Sequence, residues 1–348
     1  MALDLALGDP PNRWHPVAWI GSLISGGRRL AERIPPRLLT AYGAGLILAV
    51  AAVTLAGSLA VGAMSRAMPW PIGLVLEAWL LKLTFSLRGL ISAVWEARDA
   101  LAAADLGSAR AAVARHLVSR PVATLDAGAT ASAAVESLSE NLTDSWVAPL
   151  CFFVVGGLPA AFVYRAVNTA DAMIGYREGL LGELGWATAR LDDLLNLLPS
   201  RLGALAVVAG AGLTRESATD AWRAWRRDGR LTESPNAGQT MAAMAGALRV
   251  TLEKHEHYRL GAGAPPRRGS GSSLRSSCFA RGAEGAQHLG ASRAEATASR
   301  VALTRFPLAP RGILAGRQNA RGIMSRTPPR AAIRRLTSQK CRSPSRSS

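Results

Sequence analysis

Ala41 to Met64 is a run of 24 residues without one charged side chain. As a helix rising about 1.5 Å per residue it is long enough to cross a hydrocarbon core of roughly 30 Å. Its many Gly and Ala residues suit close approach of a neighbouring helix. Arg28, Arg29, Arg33 and Arg37 precede it and only Arg66 follows closely, so the positive-inside rule puts its N-terminal end in the cytoplasm. The mean hydropathy of the chain is positive, as for a membrane protein. Met1 to Leu30 carries Asp4, Asp9 and Arg13 where a cleavable signal would need an apolar core.

Further segments read the same way. Pro69 to Leu87 is a second candidate span, apolar except for Glu77 and Lys82, which are expected to face protein or the interface rather than lipid. Glu96 to Arg120 reads as amphipathic surface helix, with Asp105-Leu106-Gly107-Ser108 as a turn and cap. Trp146 to Tyr164 is uncharged for 19 residues, but Gly156-Gly157-Leu158-Pro159 interrupts it. Two half-length pieces, near Val147–Val155 and Ala160–Val167, would form either a re-entrant hairpin or a kinked single span. Leu202 to Leu213 is part of a longer span or a buried helix. Trp222 to Leu231, with Trp225, Arg223, Arg226 and Arg227, fits an interfacial segment better than a nucleic-acid surface. The expected fold is all-α: a polytopic helical membrane bundle with amphipathic and re-entrant helices and a disordered basic C-terminal tail.

Charge divides the chain. The net charge is +17, yet residues 262–348 hold 17 basic and 2 acidic side chains, so residues 1–261 are nearly neutral. The two expected regions are a membrane domain over 1–261 and an Arg-rich tail over 262–348. The tail lacks apolar periodicity and is disordered by composition. Either it is a product of out-of-frame translation, or it is a genuine basic tail for anionic lipid or RNA. Cys151, Cys278 and Cys341 have no metal-ligand spacing, and His255 and His257, two apart, fall on different helix faces and read as solvated.

The P-loop, the dinucleotide fingerprint and the nucleophile elbow are all missing from the sequence. What remains is acids and amides in apolar surroundings. Glu136, Glu140 and Asp144 are spaced four apart and would form one acidic stripe on a helix. Like charges at that spacing repel, so a cation is expected among them unless the stripe is a solvated face. Magnesium bridging phosphate oxygens is a natural candidate. A second cluster holds Tyr164, Arg165, Asn168, Asp171, Tyr176 and Arg177. A third holds Arg190, Asp192, Asp193 and Asn196, where the plainer reading is a helix N-terminus. Gly8-Asp9-Pro10 and His15-Pro16 read as rigid turns. Asn141-Leu142-Thr143 matches a glycosylation sequon but lies within the acidic helix.

Taken in order, these stretches resemble the CobD/CbiB family of cobalamin biosynthesis membrane proteins. The matching runs include Leu3-Asp4-Leu5 through Gly8-Asp9-Pro10, His15-Pro16-Val17, Trp79-Leu80-Leu81-Lys82, and Glu136 through Asp144 with Ala148-Pro149-Leu150. They continue with Gly156 to Pro159, Tyr164 to Thr169, Asp171 to Tyr176, Ala189 to Asn196, Pro199 to Leu202, Ser234 to Gly238 and Tyr258 to Gly261. The resemblance covers residues 3–261. Where the family has a Gly-Arg-Asp-Thr-like run, this chain reads Ser119-Arg120-Pro121-Val122, and the apolar segment that follows the family's Leu-Gly is missing.

The resemblance implies an adenosylcobinamide-phosphate synthase, in which ATP drives amide ligation of adenosylcobyric acid with aminopropanol or its O-phosphate. It implies ATP and Mg2+ as cofactors. The implied partners are the corrinoid, the amino alcohol, the lipid bilayer and other cobalamin-pathway enzymes, with no nucleic acid. The location is the bacterial inner (cytoplasmic) membrane, multi-pass. On that reading Glu136, Glu140 and Asp144 hold magnesium, with Asp192 and Asp193 as second candidates. Arg165 or Arg190 clamps phosphate, and Asn141, Asn168, Asn196 and Asp171 bind substrate. Because ATP is cytoplasmic, the clusters on both sides of Trp146–Tyr164 must reach one compartment. The competing readings are a non-catalytic relative like the AmpE signalling proteins, an intramembrane prenyl-type transferase using Asp192-Asp193, and a transporter.

Overall fold

The computed structural model of the chain describes residue 4 and residues 8–117, 122–254 and 257–263. Outside these lie Arg120, Pro121 and His255, and residues 264–348, so the expected disordered tail and its frame lie there too. Helices dominate, and one small antiparallel pair, Leu252–Lys254 with Tyr258–Leu260, supplies the described strands.

Helix α1, Pro16–Ala31, starts where proline at the first helical position meets His15, whose Nδ1 accepts the Val17 N–H at 3.2 Å. Helix α2, Leu39–Ala67, contains the uncharged run. Leu48, Val53, Leu55 and Leu59 along it are exposed. Such a row of apolar side chains is costly in water and at home in lipid. Helix α3, Trp70–Lys82, has 13 residues. It is therefore about 20 Å long, too short for the second span expected over Pro69–Leu87. The helix stops at Lys82, whose side chain turns inward and is 1% exposed. Glu77 likewise meets protein, with the Ser65 hydroxyl at 3.3 Å.

The expected amphipathic segment is two helices, α4 (Leu87–Ala102) and α5 (Leu106–His116). Asp105 is itself the cap between them, its Oδ1 accepting the Ser108 N–H at 2.9 Å. Helix α6, Ala127–Leu142, runs through a π-helical turn, Thr143–Val147, into α7, Ala148–Ile174. Then come α8 (Leu180–Leu184), α9 (Trp186–Leu195), α10 (Leu197–Leu213), α11 (Ala218–Asp228) and α12 (Ala237–Leu248).

Two stretches, Pro36–Ala67 and Ala127–Ile174, are long and apolar enough to cross a membrane. The pair α9 and α10, bent by 48°, makes a third if it acts as one span. Leu202–Leu213 is thus the end of a longer element.

The second stretch does not run straight. Gly156 and Gly157 have non-helical dihedrals, and Gly157 (φ 64°, ψ −158°) sits in a region open essentially to glycine alone. Phe152 and Tyr164 stack with ring centroids 5.0 Å apart. Twelve residues of straight helix would separate them by about 18 Å. The chain therefore doubles back at the glycine pair. Val154 and Val155, 84% and 82% exposed, form the tip. Of the two alternatives for this segment, the hairpin is the one observed, and its second arm continues to Ile174.

Two apolar cores result. One joins α4, α5, α6, α10 and α12 through residues such as Val94, Val113, Leu138, Val207 and Met241. The other joins α1, α2, α8 and the second arm of α7 through Ile24, Ile47, Val167, Ile174 and Leu184. The hairpin leads the chain from the first core to the second.

Candidate functional site

The site lies where the hairpin arms meet α9. The π turn inserts an extra residue into the helical path and re-aims Asp144 relative to α6. On the returning arm Arg165, Asn168 and Asp171 recur every three residues and so share a face. Arg165 Nη1 donates to the Asp144 carbonyl oxygen at 3.3 Å across the hairpin. Asp192 lies on α9 and Asn196, one turn later, is its C-cap and is buried.

These groups form one hydrogen-bonded chain. The Tyr164 hydroxyl donates to Asn196 Oδ1 at 3.0 Å, leaving Asn196 Nδ2 to donate to Asp192 Oδ2 at 3.0 Å. Arg165 Nη1 donates to Asn168 Oδ1 at 3.0 Å, which turns Asn168 Nδ2 toward Asp192 Oδ1 at 3.4 Å. Asn168 also reaches the Asp144 carboxylate. A guanidinium can only donate, so the orientation of Asn168 is dictated by Arg165. Asp192 thus receives amide N–H groups on both oxygens, each such bond to a charged group contributing about 1.5–3 kcal/mol.

Glu140 and Asp171 lie within electrostatic range of Asp144, and Asp171 is in range of Asp192 and Asp193. Arg165 is the cation beside Asp144, and its Nε is buried with no hydrogen-bond partner. The cluster is rich in negative charge and in hard oxygen donors, the donor type magnesium prefers. Among the described residues no three His, Cys, Asp or Glu side chains stand close enough to hold a metal ion. The fit is to an ion shared with a phosphate-bearing ligand, held by one or two carboxylates, rather than to a closed protein cage.

Other expected residues lie elsewhere. Glu136 is buried and bonds Ser132 Oγ at 2.8 Å and the Tyr258 hydroxyl at 3.0 Å, so it ties α6 to the strand pair. Asn141 Nδ2 donates back to the Ser137 carbonyl at 2.8 Å. Asp193 faces the 229–236 loop, accepting from Ser234 Oγ at 2.9 Å. Arg190 is 64% exposed and 4.0 Å from Asp193. His257 is exposed and pairs with Glu233 at 3.1 Å, in keeping with a solvated histidine.

A neighbouring group was read from sequence only as turns. Lys82 pairs with Asp9, lies 3.6 Å from Asp4 and donates to the Gly8 carbonyl. Ser86 Oγ donates to Asp9 at 3.0 Å, and the Arg88 N–H donates to Asp4 at 2.9 Å. Burial raises the Asp4 carboxyl above its ordinary 3.8 and lowers the His15 imidazole below 6.5. His15 senses Asp9, Lys82 and Arg165, so the N-terminal turn abuts the site. The signal was present: a lone lysine in an apolar segment needs carboxylates, and Asp4 and Asp9 are two in otherwise apolar sequence.

A family model described as CobD/Cbib protein matches residues 1–277. A probable cobalamin biosynthesis protein CobD of Methanothermobacter thermautotrophicus is 41% identical over 261 residues, covering 74% of this chain and 84% of that protein. The cobalamin biosynthesis protein CobD of Dehalococcoides mccartyi is 38% identical over 261 residues, covering 75% and 84%. That of Geobacter metallireducens is 41% identical over 255 residues, covering 72% and 78%. No solved structure matches.

Proposed function

This chain belongs to the CobD/CbiB family, and from that premise we propose that it works in cobalamin biosynthesis as an adenosylcobinamide-phosphate synthase. It is an ATP-dependent amide ligase of the cytoplasmic membrane, joining a propionate of adenosylcobyric acid to aminopropanol or its O-phosphate. A carboxylate is a poor acyl donor. Transfer of the γ-phosphoryl group of ATP to a propionate oxygen gives an acyl phosphate and ADP. The amine then attacks the carbonyl carbon, the C–O bond to phosphate breaks, inorganic phosphate leaves, and the amine gives up a proton.

Asp144 and Asp192, two carboxylates with Glu140 nearby as further negative charge, would hold magnesium together with the nucleotide phosphates, and the ion would supply charge neutralisation for phosphoryl oxygens. Arg165 has an uncommitted Nε to offer those oxygens, since its fork suits phosphate. Arg190, exposed at the rim, meets incoming anions. Asn168 and Asn196 keep Asp192 oriented. Asp171 receives the ammonium of the amino alcohol. Asp193 acts through the 229–236 loop rather than on substrate. The bilayer covers the exposed apolar rows of α2 and α10, the site opens to the ATP side, and other enzymes of the pathway are its partners.

The observation that supports this reading most is the contact of Arg165 with Asp144, since it joins groups on both sides of the apolar run in one site. Expression of the full chain in a strain lacking its own synthase tests it. Growth on cobyric acid should be restored. Growth on cobinamide alone, with none on cobyric acid, would contradict the reading.

A further inference from the structure

Ser86 stands at the head of α4 and does not cap it. A serine in that position ordinarily lends its hydroxyl to the first free N–H groups of its own helix. Here Oγ makes no capping bond and donates instead to Asp9 Oδ2 at 3.0 Å. The cap comes from far upstream, where Asp4 Oδ2 accepts the Arg88 N–H at 2.9 Å. Both carboxylates meet the Lys82 ammonium, which also donates to the Gly8 carbonyl at 2.5 Å. Lys82 and Asp4 are each 1% exposed, so little water competes for these bonds. The head of α4 is therefore fixed by two aspartates that lie 77 and 84 residues before their partners. Held there, Ser86 turns its own N–H to the π turn, where it donates to the Ser145 carbonyl at 3.3 Å. The adjoining Asp144 carbonyl accepts Arg165 Nη1, also at 3.3 Å. Two consecutive carbonyls of the π turn are thus met from outside it, one by the returning arm and one by the head of α4.

We infer that Asp9 is a positioning residue for the ligation: held by Lys82, it fixes Ser86, and Ser86 sets the π turn that presents Asp144. Its part is geometric. What it must supply is an oxygen for Lys82 and a hydrogen-bond partner for the Ser86 hydroxyl, and its negative charge is not required, since Asp4 also faces Lys82. The effect on ligation rests on the ligase reading. The effect on the π turn does not.

Two variants of the full chain in nanodiscs test this. Asp9→Ala removes both bonds and leaves Lys82 with Asp4, one charge against one. Asp9→Asn keeps a carbonyl oxygen for Lys82 and offers its amide N–H to Ser86 Oγ. Hydrogen exchange is followed by mass spectrometry, and ligation is measured over a range of Mg2+ concentrations. In Asp9→Ala the amides of Thr143–Val147 should exchange about tenfold faster than in wild type, while those of α12 keep wild-type rates. Its kcat should fall by about tenfold or more and its half-saturating Mg2+ should rise, with KM for the amino alcohol unchanged. Asp9→Asn should match wild type within about twofold on every measure. Unchanged exchange over Thr143–Val147 in Asp9→Ala would overturn the inference. So would an Asp9→Asn enzyme as slow as Asp9→Ala, because Asp9 would then act through its charge. A wild type that forms no amide would contradict the ligase reading alone, and the exchange rates would still decide whether Asp9 sets the π turn.

Discussion

Asp192 is the residue on which the site's geometry converges, and its orientation is set at second hand by Tyr164 and Arg165. Replacing Asn196 with Ala leaves a buried hydroxyl and a carboxylate oxygen unpartnered. The expected loss is about 3 kcal/mol, read as a lower melting temperature in detergent, and ligation should fall with it. The separation of Glu136 from the cluster gives a sharper contrast. Glu136→Gln keeps one acceptor oxygen and turns an N–H to the other hydroxyl, so it should leave the ligation rate within a few-fold of wild type, whereas Asp144→Asn should lower it by about a hundredfold or more. Equal losses would return Glu136 to the site. A further residue reports on pH. Burial pushes the Asp228 carboxyl up, but the Arg227 fork and the Gly261 N–H outweigh it and hold it below 3.8. The unfolded chain then binds the proton more readily than the folded one. The stabilisation is therefore present above 3.8 and is lost as pH falls through the lower folded value. The melting-temperature difference between wild type and Asp228→Asn should be constant near neutrality and close in strong acid.

At the scale of elements, the glycine hairpin decides what the site contains. Gly157→Ala forces a side chain into a backbone region it strongly disfavours, at a cost of about 1–3 kcal/mol, and should splay the arms. Quenching between probes attached to the two arms would report the separation. Much of this was legible in the sequence. The Gly-Gly-x-Pro break inside an uncharged run marked where the chain leaves a straight helix, though it left a hairpin and a kinked span equally open, and Arg165, Asn168 and Asp171 fell in one cluster just after it. What was not legible depends on non-local partners. Periodicity placed Glu136 on one stripe with Asp144, but Tyr258, more than a hundred residues away, claims Glu136, and the π turn shifts Asp144. Composition extended α3 to Leu87, but Lys82 ends it because its ammonium is needed by Asp4 and Asp9.

Across the whole molecule, the doubling back at Gly156–Gly157 returns the chain to the side from which it came. Ala123, before α6, and Glu178, after α7, should therefore face the same compartment. With the native cysteines replaced, Ala123→Cys and Glu178→Cys should react with an impermeant maleimide from one side of sealed vesicles. Reaction from opposite sides would mean the stretch crosses once. The two apolar cores place the carboxylate cluster at their junction, so both halves of the chain are needed for one site. The most direct test is a ligation assay on the purified full chain, with Mg·ATP, adenosylcobyric acid and aminopropanol phosphate, comparing wild type with Asp192→Asn. The account predicts ATP-dependent amide product from wild type and a loss of about a hundredfold or more in the variant. Amide formation at an undiminished rate by Asp192→Asn, or none by wild type, would contradict it.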